Sequence, residues 1–109
     1  MLIFHLKKEW YEKIISGEKR IEYREVKDYW NKRLRNEVSK LLDNKDLRKN
    51  KIYYIPKVFC KIQLGYTNKY MTASITKIEV VDGKNTDLHI NKPVYAIHLT
   101  DIEEVKERR

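Results

Sequence analysis

The chain has 109 residues, of which 24 are Lys or Arg and 16 are Asp or Glu, for a formal net charge of +8. That length fits one domain, 1–109, whose core needs neither disulfides nor a metal to hold it. A 41% hydrophobic content excludes a disordered tail, the lack of any run of about 18 apolar residues excludes a membrane-spanning helix, and Cys60 as the sole cysteine excludes an internal disulfide. A single thiol fits a reducing compartment, and Met1 to Leu6 lacks the basic start and apolar length of a signal peptide, so a cytoplasmic location is expected.

Leu2, Phe4 and Leu6 alternate with Ile3 and His5, which predicts a strand with one buried face. A short helix follows, about Lys8 to Ser16, with Trp10, Tyr11, Ile14 and Ile15 on one face and Gly17 suited to a left-handed cap. Lys19 to Val26 alternates again and predicts a second strand. Asp28 can cap a helix to about Leu42, whose apolar face carries Trp30, Leu34, Val38 and Leu41 while Lys32, Arg33 and Lys40 point away. Residues 43–51 are polar and read as a loop, and Pro56 is expected to precede the next strand.

Val58, Cys60, Ile62, Leu64 and Tyr66 alternate with Phe59, Lys61 and Gln63, so Cys60 is expected to be inert packing. Thr67 to Lys69 forms a hairpin tip, and Met71 to Val81 returns. The apolar phase of that return slips between Ile75 and Ile78, which predicts a bulge near Thr76 of the kind that bends a sheet towards closure. Asp82-Gly83 is a turn, Val94 to Leu99 is a last strand, and a charged tail runs from Glu103 to Arg109. The pattern predicts an α+β fold, a curled barrel of about five strands with two or three peripheral helices.

Charge is unevenly placed. Residues 27–61 hold 11 basic and 4 acidic side chains, whereas residues 62–109 hold 7 of each. A basic patch of that kind attracts polyanions, although a lysine-rich solvated surface gives the same count. Several aromatics lie among the basic residues: Tyr29-Trp30 beside Lys32 and Arg33, Tyr53-Tyr54 before Lys57, and Tyr66 and Tyr70 around Lys69. Unpaired RNA is often held by stacking on such rings, and Tyr66 and Tyr70, flanking a hairpin tip, are the stacking candidates. Trp10, Tyr11 and Trp30 are expected in the core. His5, His89 and His98 have no metal-ligand spacing, and no phosphate-binding glycine loop or serine nucleophile motif is present, so no metal or cofactor is expected.

The segment Ser16 to Arg24 reads SGEKRIEYR and matches G-x-K-x-x-E-x-R at Gly17, Lys19, Glu22 and Arg24. With the apolar strand and Trp/Tyr helix before it, Tyr29 to Leu34 after it, then Leu64 to Thr67 and Tyr95 to Leu99, the chain over about 2–101 resembles the ASCH domain family of the PUA-like superfamily, in its small single-domain bacterial or phage type. The resemblance implies a PUA-like curled β-barrel and a cleft, lined by the motif, that accepts RNA or a nucleobase. The leading reading is an RNA-binding module in which Lys19 and Arg24 hold phosphate or a carbonyl, Glu22 reads an amino edge, and the basic face of 27–61, with Lys32 and Arg33, tracks the backbone, while Tyr66 and Lys69 at the hairpin tip add contacts.

The motif's chemistry has its own logic. A lysine, a carboxylate and an arginine at one rim supply a point charge, an acceptor and a planar fork. Glu22 and Arg24 share a strand face, whereas Lys19 joins them only if the turn after Gly17 swings it round. The competing reading is a surface strand with ion pairs of little energetic consequence. A hydrolase is the other alternative, because some ASCH proteins act on N4-acetylcytidine and others on RNA. In that case Lys19 and Glu22 would be catalytic. Glu22 stands where the amidohydrolase pattern has a threonine, and Asp82, Asp87 and Glu79 are the nominees for its later acidic residue. As rim residues, Lys19 and Glu22 are expected to be exposed and of little consequence for folding. A protein-interaction module with no ligand is the third alternative.

Overall fold

The computed structural model describes residues 1–39 and 52–105, apart from the side chains of Arg35, Val38, Ser39 and 52–57. The expected loop over 43–51, the helix positions Val38, Lys40 and Leu41, and the trio Tyr53, Tyr54 and Lys57 thus lie outside the described residues or side chains. The elements are β1 (Leu2–Leu6), α1 (Lys8–Ser16), β2 (Ile21–Glu25), α2 (Asp28–Ser39), β3 (Ile52–Leu64), β4 (Tyr70–Asp82), a 3₁₀ turn (Gly83–Asn85) and β5 (Pro93–Val105).

The strands form one sheet in the order β1-β3-β4-β5-β2, with β1 and β3 parallel and every other pair antiparallel. The sheet curls into a half-barrel, the α+β architecture that the alternating strands predict. Its edge strands, β1 and β2, leave an open seam between them, crossed where Arg24 Nη2 donates to the His5 carbonyl at 3.5 Å.

Alternation builds the inner wall. Leu2, Phe4 and Leu6 are buried while Ile3 and His5 face out. Tyr11 and Ile14 of α1 and Trp30 and Leu34 of α2 join Phe4, Cys60, Ile62, Ile75 and Ile97 in the same core. These helix residues lie three and four apart, so each helix offers the core one stripe. Trp30 stacks on Phe4, with ring centroids 5.3 Å apart, and docks α2 against β1.

Several strand boundaries differ from the sequence reading: β2 begins at Ile21 rather than Lys19, and β3 ends at Leu64, which leaves Tyr66 in the turn beyond it. Pro56 lies inside β3 rather than before it. The β3–β4 register shifts between Tyr54 and Val58, and β1 pairs with β3 only over residues 60–64, so Pro56 sits at an irregularity with one side unpaired by β1. An irregular edge is where a sheet tolerates a residue with no N–H. Likewise β5 does not end at Leu99. It bends through Asp101, with φ 52°, and continues until Glu103, Glu104 and Val105 face Thr72, Met71 and Tyr70. Polar side chains concealed this extension, which the Tyr11 hydroxyl fixes by donating to Glu104 Oε2 at 3.0 Å. The predicted bulge is present: Ile75 pairs with Leu99 and Lys77 with His98, leaving Thr76 as the extra residue.

Leu34 is fully buried. Leu34→Ala should therefore cost about 2–5 kcal/mol in urea unfolding, while Lys32→Ala on the exposed face should stay within about 0.5 kcal/mol. Cys60 is also fully buried, and burial pushes its thiol up to about 12. Ellman's reagent should label it only on unfolding; rapid labelling of the folded protein would contradict this packing.

Candidate functional site

The G-x-K-x-x-E-x-R segment folds as a helix end, a turn and a strand. Gly17 takes φ 88° at the end of α1, where its N–H donates to the Ile14 carbonyl, a conformation that strains any L side chain. The N–H of Lys19 donates to the Lys13 carbonyl at 3.0 Å, and Arg20 Nη1 donates to the Ile14 carbonyl at 2.6 Å. Lys19 thus leaves the helix end two residues before β2 begins. Strand alternation does not govern it, and its side chain reaches Glu22.

Glu22 faces inward on β2, opposite Ile97, and only 4% of it is exposed. Its Oε1 accepts from Lys19 Nζ at 3.5 Å and from the Tyr23 N–H at 3.0 Å, and its Oε2 accepts from Arg24 Nη2 at 3.3 Å. Asp87 Oδ2 lies 2.8 Å from Lys19 Nζ, the shortest ion pair of the group. The two cations rest against aromatic rings. Lys19 Nζ is 4.8 Å from the Trp10 centroid, and the Arg24 guanidinium is 5.0 Å from Trp30 and 5.3 Å from Phe4. Arg24 Nε is buried and meets no acceptor among the described residues.

Trp10, Lys19, Glu22, Arg24 and Asp87 line a cleft of about 230 Å³ at the seam, completed by His5, Leu6, Lys7, Tyr23 and Leu88. A second hollow of about 210 Å³ shares Tyr23, Arg24 and Leu88 and runs on to Lys27 and Trp30. Burial, reinforced by Asp87 and opposed by Lys19, raises the Tyr23 phenol above its ordinary range.

Asp87 is delivered by a loop closed on itself. Asp82 Oδ1 accepts from the Lys84 N–H, Thr86 Oγ1 donates to the Gly83 carbonyl and accepts from the Leu88 N–H, and the Gly83 N–H donates to the Lys92 carbonyl. A Cβ at Gly83 would come within 2.6 Å of the Lys92 carbonyl oxygen, so this turn admits only glycine without a backbone shift. Of the three nominated carboxylates, Asp87 alone meets Lys19. Asp82 caps the 3₁₀ turn, and Glu79 binds His98 Nε2 at 3.0 Å and Lys77 at 3.3 Å, partners that hold its carboxyl below the usual range.

The structure brings Lys19, Glu22 and Arg24 together and sets Tyr66 beside them, stacked on the cleft residue His5. It does not bring Lys32, Arg33 or Lys69 into the cleft. Lys32 is exposed on α2, Arg33 lies over Tyr29 at 4.4 Å, and Lys69 pairs with Glu104 at 3.7 Å. Much of the basic excess of 27–61 falls outside the described side chains; within them, Lys27 pairs with Glu25 and Lys61 lies over Tyr70. The expectation of an exposed rim fails for Glu22, which is buried, and for Lys19, whose side chain is 12% exposed. Trp10, expected in the core, packs against it while part-exposed, and its other side walls the cleft. The sequence carried no local signal for His5 or Leu88 at this site.

Comparisons with family models, with curated proteins and with solved structures each return no match. The ASCH resemblance therefore rests on the motif and its surroundings. Among the described residues, no group of three His, Cys, Asp or Glu is placed to hold a metal ion. Lys19 Nζ donates towards both Asp87 and Glu22, so it offers a ligand a donor and not a proton acceptor.

Either cation alone still compensates the buried Glu22 carboxylate, but removal of both leaves it unpaired. Stability should therefore fall more in the Lys19→Ala/Arg24→Ala double mutant than the single losses sum to, with a coupling of about 0.5–3 kcal/mol. The same cycle in a Glu22→Gln background should be additive, as read by urea denaturation.

Proposed function

We propose that the chain is an RNA-binding module that takes an unpaired nucleotide into the seam cleft between β1 and β2. The observation that carries this reading is the setting of Arg24. Its fork lies against Trp30 and Phe4, one nitrogen is committed to Glu22 and the His5 carbonyl, and Nε is a buried donor with no acceptor among the described residues. An unsatisfied buried donor costs about 1–3 kcal/mol, which a carbonyl or phosphate oxygen would recover once the guanidinium turns Nε towards the cleft on binding. The cleft's own rings, Trp10, Tyr23 and His5, suit a flat partner.

Two of the three cations lining the cleft, Lys19 and Arg24, are paired with its two carboxylates, Glu22 and Asp87, and Lys7 is the third. A cleft whose inner cations are already paired favours a polar ring with both donors and acceptors over a bare anion. Attraction for the backbone then falls to exposed cations outside it, among them Lys32 and Arg33 on α2. Glu22, with its oxygens already accepting from Lys19, Tyr23 and Arg24, serves mainly to orient the two cations. A hydrolase acting on RNA or N4-acetylcytidine is the weaker reading, because Lys19 is held as a donor between two carboxylates.

The test is the affinity for a fluorescent single-stranded RNA across a salt series. With about three to five phosphates contacted, log K should fall against log salt with a slope of roughly −2 to −3.5, and Lys32→Ala/Arg33→Ala should flatten it by about 0.7 per lost contact. Arg24→Lys keeps the charge and loses the fork, and should weaken binding by about tenfold or more, the effect of one charged hydrogen bond of roughly 1.5–3 kcal/mol. A slope near zero, or no binding, would favour a protein-interaction module. Turnover of the RNA or of N4-acetylcytidine would favour the hydrolase.

A further inference from the structure

Tyr66 is 89% exposed, the most exposed large apolar side chain among the described residues. Such a ring on a turn ordinarily swings freely, but this one is held. It stacks on His5 with centroids 4.5 Å apart and planes 23° from parallel. His5 is fixed in turn. Its Nδ1 lies 2.8 Å from the Gly65 carbonyl, which can only accept, so Nδ1 carries the proton in that bond.

The turn beneath the ring is tied down on both sides. The Gly65 N–H donates to the Leu6 carbonyl at 2.8 Å, linking the turn to β1, and Gly65 takes the left-handed φ of 53°. Thr67 Oγ1 donates to the Leu64 carbonyl at 2.7 Å and accepts from the Lys69 N–H. One face of Tyr66 therefore rests on His5 while most of the ring meets solvent. His5 also lines the seam cleft, and its carbonyl accepts from Arg24. An open aromatic face, stacked on His5, thus lies next to a residue that lines the seam cleft.

We infer that the Tyr66–His5 stack is a second base subsite, so that the site takes two adjacent nucleotides of an unpaired strand in preference to a free nucleoside. The inference rests on the cleft reading above and sharpens it to an oligonucleotide ligand. Base stacking on an aromatic side chain needs a fixed ring with an open face and tolerates any base. Pre-fixing the ring removes the ordering cost that a mobile tyrosine would add on binding. Specificity would then come from the cleft, and Tyr66 would add affinity without base preference.

The experiment compares wild type, Tyr66→Phe, Tyr66→Leu and Tyr66→Ala for binding to oligouridylate of about eight nucleotides, within the span of single-strand binders, and to uridine 5′-monophosphate. Thermal melts of each variant are run alongside. Tyr66→Ala and Tyr66→Leu should each weaken the oligonucleotide by roughly 5- to 100-fold, the contribution of one stacked base. Tyr66→Phe should match wild type, and the mononucleotide affinity should not change in any variant. Unchanged oligonucleotide affinity in Tyr66→Ala would overturn the subsite while leaving the cleft reading intact. Equal losses for both ligands would also overturn it, since Tyr66 would then only shape the cleft. If wild type binds neither ligand, the cleft reading fails and the subsite with it.

Discussion

A carboxylate taken out of water needs cations, and Glu22 draws the seam together through that need. It is the inward residue of an edge strand, opposite Ile97, at the point where the half-barrel fails to close. Burying an unpaired carboxylate would cost several kcal/mol, so cations must arrive from nearby. Arg24, the next inward residue of β2, supplies one and in the same step bridges to β1 through the His5 carbonyl. Lys19 supplies the other from the turn after α1. Each cation then lies over a ring from a different element: Trp10 of α1 for Lys19, Trp30 of α2 and Phe4 of β1 for Arg24. The gap in the sheet, both helices and the loop that carries Asp87 thus converge on one buried charge.

The periodic part of this fold is legible in the sequence because burial imposes the period. β1, the bounds of α1, the inward place of Cys60 and the extra residue near Thr76 all follow from where apolar side chains recur. Legibility ends where local and tertiary constraints part. The extension of β5 past Asp101 is built from Glu103 and Glu104, whose charges read as solvent-facing tail, yet Tyr11 supplies a hydroxyl for Glu104. Pro56 reads as a strand boundary, and only the broken register of β3 makes room for it.

At the site, the motif residues could be named from the sequence and their environment could not. Alternation places Lys19 and Glu22 on opposite faces, and the outcome depends on a helix-end hydrogen bond from Lys19 to Lys13 that no pattern specifies. The burial of Glu22 was missed because a charged residue beside a glycine turn reads as rim. Asp87 is separated from Lys19 by 68 positions in the chain and could be offered only as one of three carboxylates. Its delivery depends on the close packing of Gly83 under the Lys92 carbonyl, a contact between residues whose sequence reads only as a turn.

Side-chain resonances in nitrogen-edited NMR give the most direct access to the seam, because the Arg24 Nε–H and the Lys19 ammonium report on their own hydrogen bonds. With unpaired RNA added, a cleft organised by Glu22 around a nucleotide requires both signals to shift in step with occupancy, and the Arg24 Nε–H to gain protection from exchange as it acquires an acceptor. Shifts confined to exposed cations such as Lys32 and Arg33, with Arg24 and Lys19 unmoved at saturation, would contradict a role for the seam in binding.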